Sequence, residues 1–119
     1  MTYLYVFLGG GLGSLARFLV GRMSTRMFST NFPIGTLIAN LAACALLALM
    51  VLSMQSASKA DWYKPMLIIG FCGGFSTFST FGNETFELID SGNWTYAVLN
   101  VVISILVGVG LIFLIRSRA

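Results

Sequence analysis

Residues 70–84 carry the side chains best suited to chemistry: Gly70-Phe71-Cys72-Gly73-Gly74-Phe75-Ser76-Thr77-Phe78-Ser79-Thr80-Phe81-Gly82-Asn83-Glu84. The stretch combines an adjacent glycine pair with four hydroxyl residues and four phenylalanines. A lipid-facing helix would instead be rich in Leu, Ile and Val. Hydroxyls donate hydrogen bonds to an anion. Aromatic rings carry a positive edge, which meets an anion without the full charge that would trap it. Ser76, Thr80 and Glu84 stand four apart and share one helix face, with Phe78 and Phe81 as a neighbouring stripe. The competing account has Ser and Thr bonding back to their own helix while the phenylalanines pack. Spacing leaves the two open.

The pair Gly73-Gly74 bears on the backbone itself. Glycine pairs at membrane depth can break a helix. The freed carbonyls and amides must then be satisfied by protein, water or an ion, because lipid cannot do so. Unwound carbonyls of this kind can hold Na⁺. The expectation is a break in the third span, against an unbroken helix with a close-packing glycine face.

Asn40 lies mid-span, four residues after Thr36. Its amide can donate to a permeating anion or tie two helices together, and sequence favours neither. Asn100, Ser104 and Gly108 share a face of the last span. Arg17 follows the glycine run Gly9-Gly10-Gly11-Leu12-Gly13. It suits either a snorkelling anchor or a vestibule that draws anions. There is no histidine, and Cys44 and Cys72 fall in apolar stretches as small buried residues. Glu84, Glu87 and Asp90 have no nucleophile–base pair beside them, so an enzyme is not expected.

The elements that must position these residues are membrane spans. Of 119 residues, 57% are hydrophobic and 9% charged, against about 45–50% and 25% in soluble domains. Four segments reach the roughly 20 apolar residues a spanning helix needs: about 2–20, 33–54, 62–86 and 94–115. The reading is all-α, one four-span domain over 1–119, with the N-terminal segment a first span and not a cleavable signal. The connections are 21–32, carrying Arg22 and Arg26; 55–61, carrying Lys59; and the turn cluster Asp90-Ser91-Gly92-Asn93. Trp62, Tyr63, Trp94 and Tyr96 suit the interfaces. A formal charge of +3 with no basic patch argues against nucleic acid.

Orientation follows the Lys/Arg bias between the two sides. Lys59, Lys64, Arg116 and Arg118 on one side face Arg17, Arg22 and Arg26 on the other, four against three. So small a bias fits insertion both ways, with opposite copies pairing as an antiparallel dimer, and it also fits a single orientation set by other features. A four-span chain of this size has little interior, so a pathway is more easily built at a subunit interface. The small residues of the first, second and fourth spans allow close helix approach.

Gly9-Gly10-Gly11-Leu12-Gly13 with Arg17, Gly35-Thr36-Leu37 with Asn40, and the 70–81 motif closely resemble the CrcB/Fluc family of bacterial fluoride channels, over essentially the whole chain. The resemblance implies a multi-pass protein of the bacterial cell membrane that exports cytoplasmic fluoride passively and relieves its toxicity. It implies an antiparallel, dual-topology dimer with a structural Na⁺ between broken third helices, held by backbone carbonyls at Gly73 and Ser76. The pore phenylalanines map to Phe78 and Phe81. The polar track maps to Ser79, Thr80, Asn40, Glu84 and Ser104, and the vestibule arginine to Arg17. One departure is the fourth span, where relatives' hydroxyl positions fall on Leu106, Gly108 and Ile112. That reduces the fourth-span polar track to Asn100 and Ser104, and implies that Gly108 admits water in place of the lost hydroxyl, that conduction is weaker, or that a non-identical partner chain replaces a second copy.

Two other functions fit four short spans. A small proton-coupled multidrug exporter needs an acidic residue in the first span, and all four acidic residues here fall in or after the second connection. A non-transporting membrane subunit has no need of a span lined by hydroxyls and phenylalanines.

Overall fold

A computed structural model describes residues 1–56 and 60–118. Lys59, counted above toward orientation, lies outside the described residues. The chain is helical: α1 (Thr2–Met27); α2 (Ile34–Ser56); α3, formed by a π-helical stretch Lys64–Cys72 and the turn Gly73–Phe75; α4 (Phe78–Asp90); and α5 (Trp94–Ser117). Four stretches are long and apolar enough to cross a membrane: Thr2–Met27, Ile34–Gln55, Lys64–Asp90 and Trp94–Ser117. The molecule is 50 Å along its longest axis, which exceeds the roughly 30 Å hydrocarbon layer.

Helix limits differ from the apolar runs at two places. α1 continues to Met27 through Arg22 and Arg26, with Arg26 in its last turn. Most of the expected first connection is therefore helix, as polar residues without Gly or Pro after position 21 allow, and only 28–33 turns the chain. Pro33 then precedes α2, and its carbonyl accepts the Leu37 N–H at 3.1 Å. The third span runs on to Asp90 instead of fading at Phe86. It ends in a tight turn in which the Asn93 N–H donates to the Leu88 carbonyl at 2.8 Å. Gly92 takes φ +83, a conformation that favours glycine. The Asn93 side chain accepts from the Tyr96 N–H at 3.3 Å and caps α5.

α1 lies along α3 and α2 along α5, with α4 folded back on α5. The α1–α3 seam is glycine against glycine. A Cβ on Gly70 would meet Val6 O at 2.9 Å and the Gly9 Cα at 3.0 Å. One on Gly74 would run into the Gly10 carbonyl. Backbone approach this close is how helices pack where lipid removes the hydrophobic drive between them. The interior is correspondingly small: Ala39, Ala43 and Phe75, flanked by Ala16, Val20, Ala42, Leu46 and Phe71. Large apolar side chains such as Phe7, Phe18, Phe86 and Phe113 point outward.

Candidate functional site: the interrupted third span and its cleft

Helical hydrogen bonding stops between Phe75 and Phe78. Ser76 has φ −82 and ψ 158, and Thr77 has φ −152 and ψ 122, both extended. The glycine pair is not where the helix gives way. Gly73 keeps helical angles (φ −64, ψ −37), and Gly74 packs on α1. The interruption lies two residues further on, where polar side chains can take over the backbone groups it frees.

Asn40 of α2 does most of that. The Thr77 N–H, which in a continuous helix would bond the Gly73 carbonyl, donates to Asn40 Oδ1 at 2.7 Å. Asn40 Nδ2 in turn donates to the Thr77 carbonyl at 3.2 Å. One amide thus mimics a peptide neighbour on both sides of Thr77. The carbonyl of Gly74, which would have taken the Phe78 N–H, accepts from Arg17 Nε at 3.1 Å. The Thr77 hydroxyl accepts the Thr80 N–H at 3.2 Å and caps α4. An unpaired buried backbone group costs about 1–3 kcal/mol, so these partners decide whether the interruption is tolerable.

Ser76 does not continue the Thr80–Glu84 face, since it precedes the first residue of α4. Its hydroxyl donates back to the Cys72 carbonyl at 2.9 Å. There the back-bonding account holds. Thr80 and Glu84 do share a face, and with Arg17 they line an open cleft of about 750 Å³. Thr36, Arg22 and Glu87 line it too, and the Thr36 side chain lies against the Glu84 carboxylate. Glu84 Oε1 is buried and has no hydrogen-bond partner among the described residues.

Phe78 and Phe81 are on α4 too but outside the cleft lining, ring centroids 5.9 Å apart and tilted by 44°. Phe78 is 73% exposed, its ring turned away from the chain that carries it. Ser79 is exposed, its hydroxyl 3.3 Å from that of Thr77. Ser104 is not among the cleft residues. It sits between Asn100 and Gly108, both buried, and its Oγ is buried without a partner among the described residues. Gly108 gives no open space: a Cβ there would meet Cys44 Sγ at 3.4 Å. The outward face of α5 at this level is apolar, with Val102 and Leu106 exposed.

The structure therefore gathers Arg17, Thr80 and Glu84 in one cleft and carries Phe78, Phe81 and Ser79 on the same helix as Thr80 and Glu84, outside the cleft lining. It assigns Asn40 to the interruption and leaves Ser104 apart. Sequence reasoning missed Thr77, although a threonine directly before the apolar Phe78 is a helix-capping signal. It also missed Thr85, whose hydroxyl accepts from Asn100 Nδ2 at 3.0 Å.

The model of the family described as "CrcB-like protein, Camphor Resistance (CrcB)" matches residues 4–115. The fluoride-specific ion channel FluC of Solibacter usitatus (strain Ellin6076) is 38% identical over 109 residues, spanning 91% of this chain and 89% of that protein. FluC of Coxiella burnetii (strain CbuK_Q154) is 40% identical over 108 residues, covering 88% and 86% of the two chains. FluC of Phocaeicola vulgatus is 41% identical over 109 residues, covering 88% and 90%. The chain belongs to the CrcB family.

Proposed function

We propose that this chain is a subunit of a fluoride-selective channel through which cytoplasmic fluoride leaves passively. The observation that carries the reading is the site at the interruption: a cleft lined by Arg17, Arg22, Thr80 and Glu84, with a tilted phenylalanine pair on the same helix as Thr80 and Glu84. It stands in a chain whose relatives bear the name fluoride-specific ion channel. An anion enters past Arg17, whose guanidinium raises its local concentration. It then meets hydroxyl donors and ring edges in place of its hydration shell. No bond is made or broken along the way. The exporter alternative has no support, as α1 holds no acidic residue.

The working unit in this reading is two copies in opposite orientation in the bacterial cell membrane. Phe78, exposed in one chain, then has a second chain to face, and so has Gly73, beside which a Cβ would meet open space. A structural Na⁺ fits the same place. The Thr77 N–H is taken by Asn40 and leaves the Gly73 carbonyl without its helical bond. Ser76 is extended, so its carbonyl also departs from the helical direction. Carbonyl oxygens are hard ligands suited to a hard cation. Gly73 and Ser76 would supply two, and a second copy the same two.

The test is fluoride efflux from liposomes holding only this purified chain, read with a fluoride electrode beside chloride-loaded controls. Rapid fluoride release without chloride release is expected, with loss of release in Phe81→Ile. Replacing Na⁺ by a large organic cation should abolish release in parallel. Silence from well-folded, correctly reconstituted protein would sink the self-sufficient channel and point to a non-identical partner or a non-transport role.

A further inference from the structure

α5 is apolar over almost its whole length, yet its most deeply buried large side chain is an amide. Asn100 is 1% exposed. Its Nδ2 donates to Thr85 Oγ1 at 3.0 Å, and the Thr85 hydroxyl donates to the Phe81 carbonyl at 2.8 Å. The relay thus runs from α5 into the backbone of the very residue whose ring is assigned to the ion path. Buried polar groups at membrane depth are retained when they hold protein parts together or line a path. Asn100 is almost wholly buried and its amide is engaged by Thr85, which points to the holding role.

The mechanical need is specific. α4 is only 13 residues long, and the interruption cuts it off from the helical ladder of α3. At its N-terminus it is fixed by the Asn40 amide on Thr77. Its other end is held by the turn into α5, where the Asn93 N–H bonds the Leu88 carbonyl, and the stretch between the two ends is left to side-chain bonds. Thr85 lies eight residues beyond Thr77, about 12 Å along the helix, and Phe78 and Phe81 lie between the two. Two separated fixtures set the axial rotation, and with it the direction of both rings.

We propose that Asn100 and Thr85 act as one positioning unit that fixes the rotation of α4 and so aims the Phe78–Phe81 pair. The unit touches no ion; it acts through Phe81. The proposal rests on the channel reading for its transport consequence but not for its geometry.

The experiment pairs transport with a signal from the ring itself. Thr85→Val keeps shape and removes the hydroxyl; Thr85→Ser restores it; Asn100→Leu removes the other partner. Each is reconstituted for fluoride and chloride efflux. Each is also prepared with 4-fluorophenylalanine at position 81 for ¹⁹F NMR, alongside a melting curve in detergent. The expected result is at least a tenfold fall in fluoride efflux for Thr85→Val and Asn100→Leu. Their double variant should be no worse than either, and Thr85→Ser should stay within about twofold of the parent. The ¹⁹F line should split or broaden in the first two variants and remain single in the third. Additive losses in the double variant, or a single unshifted line in Thr85→Val, would overturn the unit. So would efflux that falls only in step with the fraction of folded protein. If the parent chain does not conduct, the channel reading fails, and the ¹⁹F line alone still decides the positioning. Should Asn100→Leu fail to fold, the Thr85 pair carries the test.

Discussion

α3 is held against α1 by backbone laid on backbone, whereas α4 is held to α2 and α5 by side-chain amides and hydroxyls. The two belong to one span and differ in what they can bear. In the seam of Gly9, Gly13, Gly70 and Gly74, the space for a side chain is already occupied by peptide groups. Along α4, a methyl added at Gly82 would have nothing within 4 Å, and Phe78 projects outward. One half of the span is a buttress that fixes position. The other is a presented surface, placed by a few directional bonds and free to carry unusual residues. Separating the two lets a small chain keep polar groups at membrane depth without loosening its packing.

The largest effect expected is on the buttress. Gly74→Val should give no monodisperse protein on gel filtration, because the side chain would enter the Gly10 backbone, where relief requires moving a helix. Gly82→Ala, its counterpart on α4, should fold like the parent and change stability by no more than about 0.5–1 kcal/mol, in the stabilising direction that helix propensity gives. Equal damage from both substitutions would erase the distinction between the halves.

Next comes the hinge between them. Asn40→Leu strands the Thr77 N–H and carbonyl together, at about 1–3 kcal/mol for each buried group left unpaired. Asn40→Asp keeps the acceptor and loses the donor, so it should sit between Leu and the parent in a denaturant titration. An Asp variant as unstable as the Leu variant would mean that the two bonds do not act separately.

Arg17→Met should have a smaller and salt-dependent effect. It removes the partner of the Gly74 carbonyl and a cation from the cleft. Efflux should drop several-fold at low ionic strength. The gap should narrow as salt shortens the Debye length to about 8 Å near 0.15 M. A deficit that ignores salt would assign Arg17 to the backbone bond alone. The smallest stability change belongs to Phe78→Ala, within about 0.5 kcal/mol for the isolated chain, since a side chain 73% exposed loses little packing. Its efflux should fall all the same.

How much was legible in advance follows the same line. That residues 70–84 matter was legible because hydroxyls and a carboxylate inside an apolar span have to be accommodated by something. The interruption was expected at the glycines because glycine is the local permissive residue. It falls at Ser76–Thr77 because Asn40, 37 residues from Thr77, and Arg17, 57 residues from Gly74, supply the partners for the freed backbone groups. The Asn100–Thr85 bond had a faint signal. The two residues stand at nearly equal distance from the turn at Gly92, which puts them level on the paired helices α4 and α5, but equal depth does not say which faces meet.

The sequence by itself determined four membrane-spanning segments, the family, and the residues of the third span that set this chain apart. Each of those follows from local composition and short spacing. Only the tertiary structure decided which glycines are filled by a neighbour's backbone and which stand open. It also decided whether a hydroxyl turns to its own helix, as at Ser76, or caps the next one, as at Thr77. The reason is physical: the chain states how many hydrogen-bond partners each polar group requires, and packing determines which group arrives to meet it.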